Sequence, residues 1–220
     1  MTASRTLAVA LVAAATLGCA TPGLTPIADP SRRVEVPGVS VLPPRGSDWV
    51  LLPVSGEGVP PGATLIRFAK RLPRSRVQAG WLTYTGVFAV DLGEDKVRDA
   101  DTFLQHFTEE FRGGEGTMLT HRQRLVSFAA HRDDSLKATC ARYARLTEFT
   151  DPVEFGDATL LVATRGMYCW HPHWPRYAIN VLYTERYPRG QPPTTLDDEV
   201  GPFLGSVIFT SAQPVPLDGR

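Results

Sequence analysis

The stretch from Leu136 to Arg186 constrains the fold most strongly, because it contains two of the three cysteines of this 220-residue chain between strand-like segments. Its last segment alternates with a period of two, so that four of its residues would face one side of a sheet: Tyr177, Ile179, Val181 and Tyr183. Residues typical of turns separate the segments, at Pro152, Gly156, Pro172 and Pro175. The stretch therefore predicts a three-stranded antiparallel meander.

The two cysteines of this stretch also predict how its first two strands pair. If the strands form a simple hairpin with Cys140 opposite Cys169, the turn is centred between residues 154 and 155, where the composition indicates a loop. The same register places two further pairs opposite one another: Arg142 with Met167 and Ala144 with Arg165. The two sulfur atoms would then face each other across neighbouring strands.

The chain begins with Arg5, an apolar run from Leu7 to Leu17, and then a glycine followed by Cys19. A basic flank, a short apolar core and small residues at its end are typical of a secretory signal peptide, and the run is too short to span a bilayer. The segment Thr16–Cys19 resembles the bacterial lipobox, although Thr16 stands where a leucine is usual. The resemblance implies a signal peptide at residues 1–18 and a Cys19 that carries palmitate-type acyl chains. The alternative is an ordinary signal peptide with an incidental cysteine.

A lipidated Cys19 has consequences for location and for cysteine pairing. The acyl chains would tether the protein to a membrane. By resemblance to the sorting rule of enteric lipoproteins, Ala20 in place of an aspartate implies the outer membrane, facing the periplasm. Lipidation also leaves Cys140 and Cys169 as a pair in an oxidising compartment, where a disulfide is expected. Such a bond would contribute about 3 kcal/mol by restricting the unfolded chain.

The charge balance excludes a general attraction to nucleic acid. The chain has 23 basic and 23 acidic side chains, and removal of the signal peptide takes away only Arg5 among them. Because of this balance we expect no nucleic acid as a partner. We expect the membrane as a partner through the N-terminal lipid, a possible envelope protein as a second partner, and no cofactor.

The proline spacing divides the chain into segments. Residues 19–48 are rich in Pro, Gly and Ser and predict a lipidated, semi-extended tether. A single globular domain is expected at residues 49–210, with a disordered tail at 211–220. Within the domain we expect strands at Trp49–Leu52, Thr64–Lys70, Gly80–Leu92 and Gln123–Ala130, and helices at Asp99–Arg112 and Thr195–Phe209.

These elements predict an α+β fold, with a mostly antiparallel sheet, a central three-stranded meander and two or three packing helices. The order of elements on a lipid tether resembles the PsbP-like sandwich of several exported proteins, a likeness that carries over no site residue. In the helix at Thr195–Phe209, Pro202 predicts a kink or a new start.

A basic cluster lies around Pro73 and has two interpretations; its members are Lys70, Arg71, Arg74 and Arg76. It could be a patch for phosphate or lipid headgroups. We favour a solvated hairpin turn whose charges protect a sheet edge.

The most suggestive chemical cluster is the segment Cys169–Trp174, because it contains a thiol and two imidazoles, His171 and His173. All three are potential zinc or copper ligands. The same residue types could also form a catalytic pair, with a cysteine nucleophile and a histidine base. Pairing of Cys169 with Cys140 removes the thiolate that either a metal site or a nucleophile would need, so we expect no metal and no catalytic residue.

The sequence therefore favours a non-enzymatic envelope lipoprotein that acts as a binding or assembly module. The alternative is an envelope hydrolase or metal-binding protein that uses the His171/His173 turn.

Overall fold

The structure, a computed structural model, describes residues 24–53, 64–93, 97–113, 123–150, 152–156 and 158–211. Cys19, the predicted signal peptide and all but the first residue of the predicted tail lie outside these ranges. Among the described residues, no helix has the length and apolar composition needed to cross a bilayer.

The described chain folds mainly into antiparallel strands. The strands are β1 Thr25–Pro26, β2 Val34–Val36, β3 Val39–Val41, β4 Trp49–Leu51, β5 Thr64–Lys70, β6 Leu82–Asp91, β7 Gln123–Asp133, β8 Cys140–Thr150, β9 Thr159–Trp170, β10 Tyr177–Pro188 and β11 Ile208–Phe209. The helices are α1 Arg74–Gln78, α2 Ala100–Gly113, α3 Pro152–Phe155 and α4 Leu196–Leu204. Eight strands form one sheet in the order β1-β4-β5-β6-β10-β9-β8-β7, and β11-β3-β2 form a second, small sheet. A largely antiparallel sheet with packing helices agrees with the predicted class in its broad features.

The central meander is confirmed, with β8, β9 and β10 paired in sequence. Its register is the one expected from the cysteines: Cys140 pairs with Cys169, Arg142 with Met167 and Ala144 with Arg165. The short helix α3 occupies the connector between β8 and β9.

The side chains of β10 are buried on both sides of the sheet, because helices pack on both faces. Ile179, Val181 and Tyr183 belong to the core on the side of α4 and β3. Ala178, one residue out of phase, belongs to the core on the side of α2.

Helix α2 covers one face of the sheet with three phenylalanines spaced four residues apart. Phe103, Phe107 and Phe111 are buried, and Phe103 stacks on the Tyr168 ring with 5.5 Å between ring centroids. The start of the helix is capped in both directions: the Thr102 N–H donates to the Asp99 carboxylate, and the Asp99 N–H donates to the Thr102 hydroxyl.

Residues 24–48 correct the prediction that the whole of 19–48 is a tether. They contain β1, β2 and β3, and Val39 and Val41 are fully buried in the core beneath α4. The proline spacing suggested an extended chain, and the segment is indeed extended. It is nevertheless part of the folded domain, because strands of two or three residues can form between the prolines. The folded part of the protein therefore begins well before Trp49.

Two other predictions need correction. The helix expected at Thr195–Phe209 ends at Leu204, and Ile208 and Phe209 pair instead with β3 as a strand. Helix α4 contains Pro202 at an exposed position and continues past it to Leu204. The basic turn around Pro73 contains the short helix α1, and Lys70 is not solvated there but lies 2.5 Å from Glu199 of α4.

Candidate functional site

A groove runs beside α4, over the exposed part of β8 and β9. It consists of two hollows of about 270 and 180 Å³ that share Ala144 and Arg165 in their walls. Helix α4 packs mainly on β10 and β9, and on the same face Ala144 of β8 is only partly covered and Ala129 of β7 is exposed. We call this feature the α4 groove; together the hollows reach the size range of about 300 to 1,000 Å³ that is common for ligand sites.

Small side chains on three neighbouring strands form the floor of the α4 groove. Ala144 of β8 lies opposite Ala129 of β7. Ala163 of β9 is on the same face, two residues along the strand from Arg165, the partner of Ala144 on β9. Leu146 continues the floor, opposite Ala163. Because these side chains are short, the helix and the strands are separated by open space rather than by packed atoms.

The helix wall of the α4 groove is apolar. It is formed by Leu196, Val200 and Leu204, whose other contacts are with the buried core. Leucine and valine at these three positions follow the helical period, so one side of α4 faces both the core and the groove.

Two buried carboxylates fix the position of α4. Glu185 of β10 has no exposed surface, and it accepts hydrogen bonds from the backbone N–H groups of Thr194, Thr195 and Leu196 at the start of the helix. A carboxylate at this place also interacts favourably with the helix dipole.

The second carboxylate, Glu199 within α4, is bound by three partners from the strands. It accepts hydrogen bonds from the indole N–H of Trp49 at 3.0 Å, from the Lys70 ammonium and from the Tyr183 hydroxyl at 2.9 Å. The groove wall is therefore held rigidly against the sheet.

The rim of the α4 groove is basic. Arg165 lies between the two hollows, and its Nη2 is 3.2 Å from the Asp197 carboxylate in the first turn of α4. Arg142 also lines the smaller hollow, together with the exposed His131, and Arg142 donates to Asp133. Arg165 is half exposed, with 46% of its side chain accessible, so the ion pair with Asp197 is solvated and weak.

The histidines singled out in the sequence lie away from the α4 groove. His171 is buried; its Nε2–H donates to the Gly38 carbonyl at 2.9 Å, and its Nδ1 accepts from the His173 backbone N–H at 3.2 Å. Burial lowers the pKa of His171, while the hydrogen bond to Gly38 opposes that shift and the neighbouring His173 adds to it. His171 is thus a structural histidine that joins the β9–β10 turn to the small sheet.

The cysteines of the meander belong to the core. Cys140 and Cys169 form a disulfide and have no exposed surface, so neither offers a thiolate. In the described ranges, no three side chains of His, Cys, Asp or Glu approach closely enough to hold a metal ion.

The α4 groove was missed in the sequence because its floor residues carry no chemical signature of their own. One signal was present: the register of the cysteines already placed Ala144 opposite Arg165. The sequence does not show where α4 lies. The position of α4 decides whether Ala144 and Arg165 line a groove or are covered as part of the core.

Comparison with known proteins gives little. No known family matches the chain, and no curated protein does so. Among solved structures, LpqN, described as involved in cell envelope biogenesis of Mycobacterium tuberculosis, aligns over 85% of this chain and 89% of its own, with 14% sequence identity and a TM-score of 0.47. At that level of likeness the alignment supports no inference about function.

Proposed function

We propose that this protein is a membrane-tethered bacterial envelope lipoprotein whose folded part is a non-enzymatic binding module, and that the α4 groove is its binding site. The lipobox-like segment ending at Cys19 supports the tether. The observation that carries the binding role is the groove itself: an open, mostly apolar channel with a rigid wall and a charged rim. Such a surface suits the binding of a partly apolar molecule.

The use of the polar core residues favours binding over catalysis. Among the described carboxylates and imidazoles, those of Glu185, Glu199 and His171 are the most deeply buried. Each is held by hydrogen bonds to structural partners and none lines the groove. The alternative function, a hydrolase or metal-binding protein using the His171/His173 turn, gains no support from this arrangement.

The binding role is tested with the full chain in phosphatidylcholine nanodiscs and a photoreactive long-chain alcohol. Irradiation followed by peptide mass spectrometry should place crosslinks on β8, β9 and α4. Ala144→Phe should remove them, because the larger side chain fills the floor shared by both hollows. Crosslinks that are absent from these elements, or that persist unchanged in Ala144→Phe, would rule out the α4 groove as the site.

The tether is tested separately by growth with labelled palmitate. The full chain should incorporate the label, and Cys19→Ala should not. A Cys19→Ala protein that still carries label would show that the lipobox interpretation is wrong.

A further inference from the structure

Arg165 occupies a position that gives the α4 groove a chemical preference. We propose, building on the proposed function, that the groove binds an anionic amphiphile: a molecule whose apolar chain lies on the alanine floor and whose single acidic group is bound by Arg165. A carboxylate or a phosphate would serve, because both accept hydrogen bonds from a guanidinium in the same planar arrangement.

The floor of the groove suits an alkyl chain and not a peptide. Strands β8 and β9 are paired on both sides within the sheet, so their backbone N–H and C=O groups have partners already. A peptide laid over Ala144 and Ala163 would leave its own backbone groups without partners, at a cost of a few kcal/mol for each one buried. A hydrocarbon chain has no such groups.

The charge around the groove selects an acidic group. Among the described residues, those that line the two hollows include three arginines, Arg142, Arg145 and Arg165, and no aspartate or glutamate. The side chain of Arg145 alternates to the α2 side, like that of its cross-strand partner Phe128, which leaves Arg142 and Arg165 on the groove face.

Among the charged groups that face the groove, Arg165 is the one placed to bind a ligand. Arg142 is already bound by Asp133, which is mostly buried with it. His131 lies at the far end of the smaller hollow. Arg165 lies between the hollows, and the partner that holds it, Asp197, is 74% exposed. An acidic group entering from either hollow can therefore take the place of Asp197.

The preference is tested by comparing two photoreactive probes of equal chain length, a long-chain acid and the corresponding alcohol, with the full chain in phosphatidylcholine nanodiscs. In the natural protein the acid should label the groove about five- to tenfold more than the alcohol. Arg165→Gln should remove this preference, so that the ratio of acid labelling to alcohol labelling falls to about one. Asp197→Asn should raise acid labelling, since it frees Arg165.

Arg132→Gln is the matched control. Arg132 lies on β7, two strands from Arg165, has a similarly exposed side chain at 48%, and is also paired with an aspartate, Asp134. It faces the α2 side, opposite Ala141, so the substitution should leave the preference intact. If both probes label the natural protein equally, and Arg165→Gln does not change their ratio, the preference for an acid is wrong, although the binding role still holds. Absence of groove labelling by either probe would overturn both. A phosphate-bearing probe of the same chain length distinguishes the two acidic groups.

Discussion

The ammonium of Lys70, at the end of β5, lies 2.5 Å from a carboxylate oxygen of Glu199 in the middle of α4. Both side chains are 11% exposed, so the pair is nearly removed from water. A buried ion pair contributes little net stability, because the cost of removing both charges from water offsets their attraction. Removing only one partner is strongly destabilising, because it leaves an unpaired buried charge.

We expect Glu199→Ala to lower the free energy of unfolding by about 3–5 kcal/mol, because Lys70 and the Trp49 and Tyr183 donors lose their acceptor. Chemical denaturation with circular dichroism measures this. Asp198→Ala is the control: it lies in the same helix turn but is exposed, and its loss should cost no more than about 1 kcal/mol. Equal costs for the two variants would show that the Lys70–Glu199 pair does not hold α4.

We expect the double substitution of Cys140 and Cys169 by alanine to lower the free energy of unfolding by about 2–4 kcal/mol without abolishing folding. The bond closes a loop with a sequence separation of 29, which restricts the unfolded chain. The register of β8 and β9 survives because many other residue pairs maintain it. Thiol titration of the denatured, unreduced protein should find neither cysteine reactive; two reactive thiols per chain would show that the bond is absent.

Acid should weaken the turn between β7 and β8 through Asp133. Burial of this carboxyl group acts to raise its pKa, but hydrogen bonds from Arg142 and Ser135 outweigh burial and lower the pKa to about 2. A carboxyl group with a depressed pKa contributes stability above its unfolded value of about 3.9, and that contribution is lost as the pH falls towards 2. The free energy of unfolding should therefore fall more between pH 5 and pH 2 in the natural protein than in Asp133→Asn. Parallel pH profiles for the two proteins would contradict this assignment.

We expect the purified protein to bind no stoichiometric zinc or copper at the His171/His173 turn. A metal ion at His171 would have to displace a hydrogen bond to Gly38 or to the His173 backbone. Elemental analysis checks the expectation, with the His171→Ala and His173→Ala double variant as the comparison. About one metal ion per chain, lost in the double variant, would restore the metal-binding alternative.

Local patterns in the sequence were sufficient for the elements whose contacts are close in the chain. The meander register followed from two cysteines and a turn, and α2 followed from three phenylalanines at helical spacing. Asp99 and Asp101 were both candidates for its cap, and the structure shows that Asp99 is the cap. In each case the signal and the contact lie within about one hairpin or one helix, so periodicity and turn chemistry decide the outcome.

The sequence by itself thus determined the strand pairing at the centre of the sheet and the apolar face of α2. Only the tertiary structure decided that Val39 and Val41 belong to the core, that Lys70 is paired with Glu199, and that α4 stops short of β8. These contacts join residues far apart in the chain, and no local pattern encodes them. The α4 groove is of this kind, because an alanine on a strand is core or cleft according to how far a distant helix extends over it.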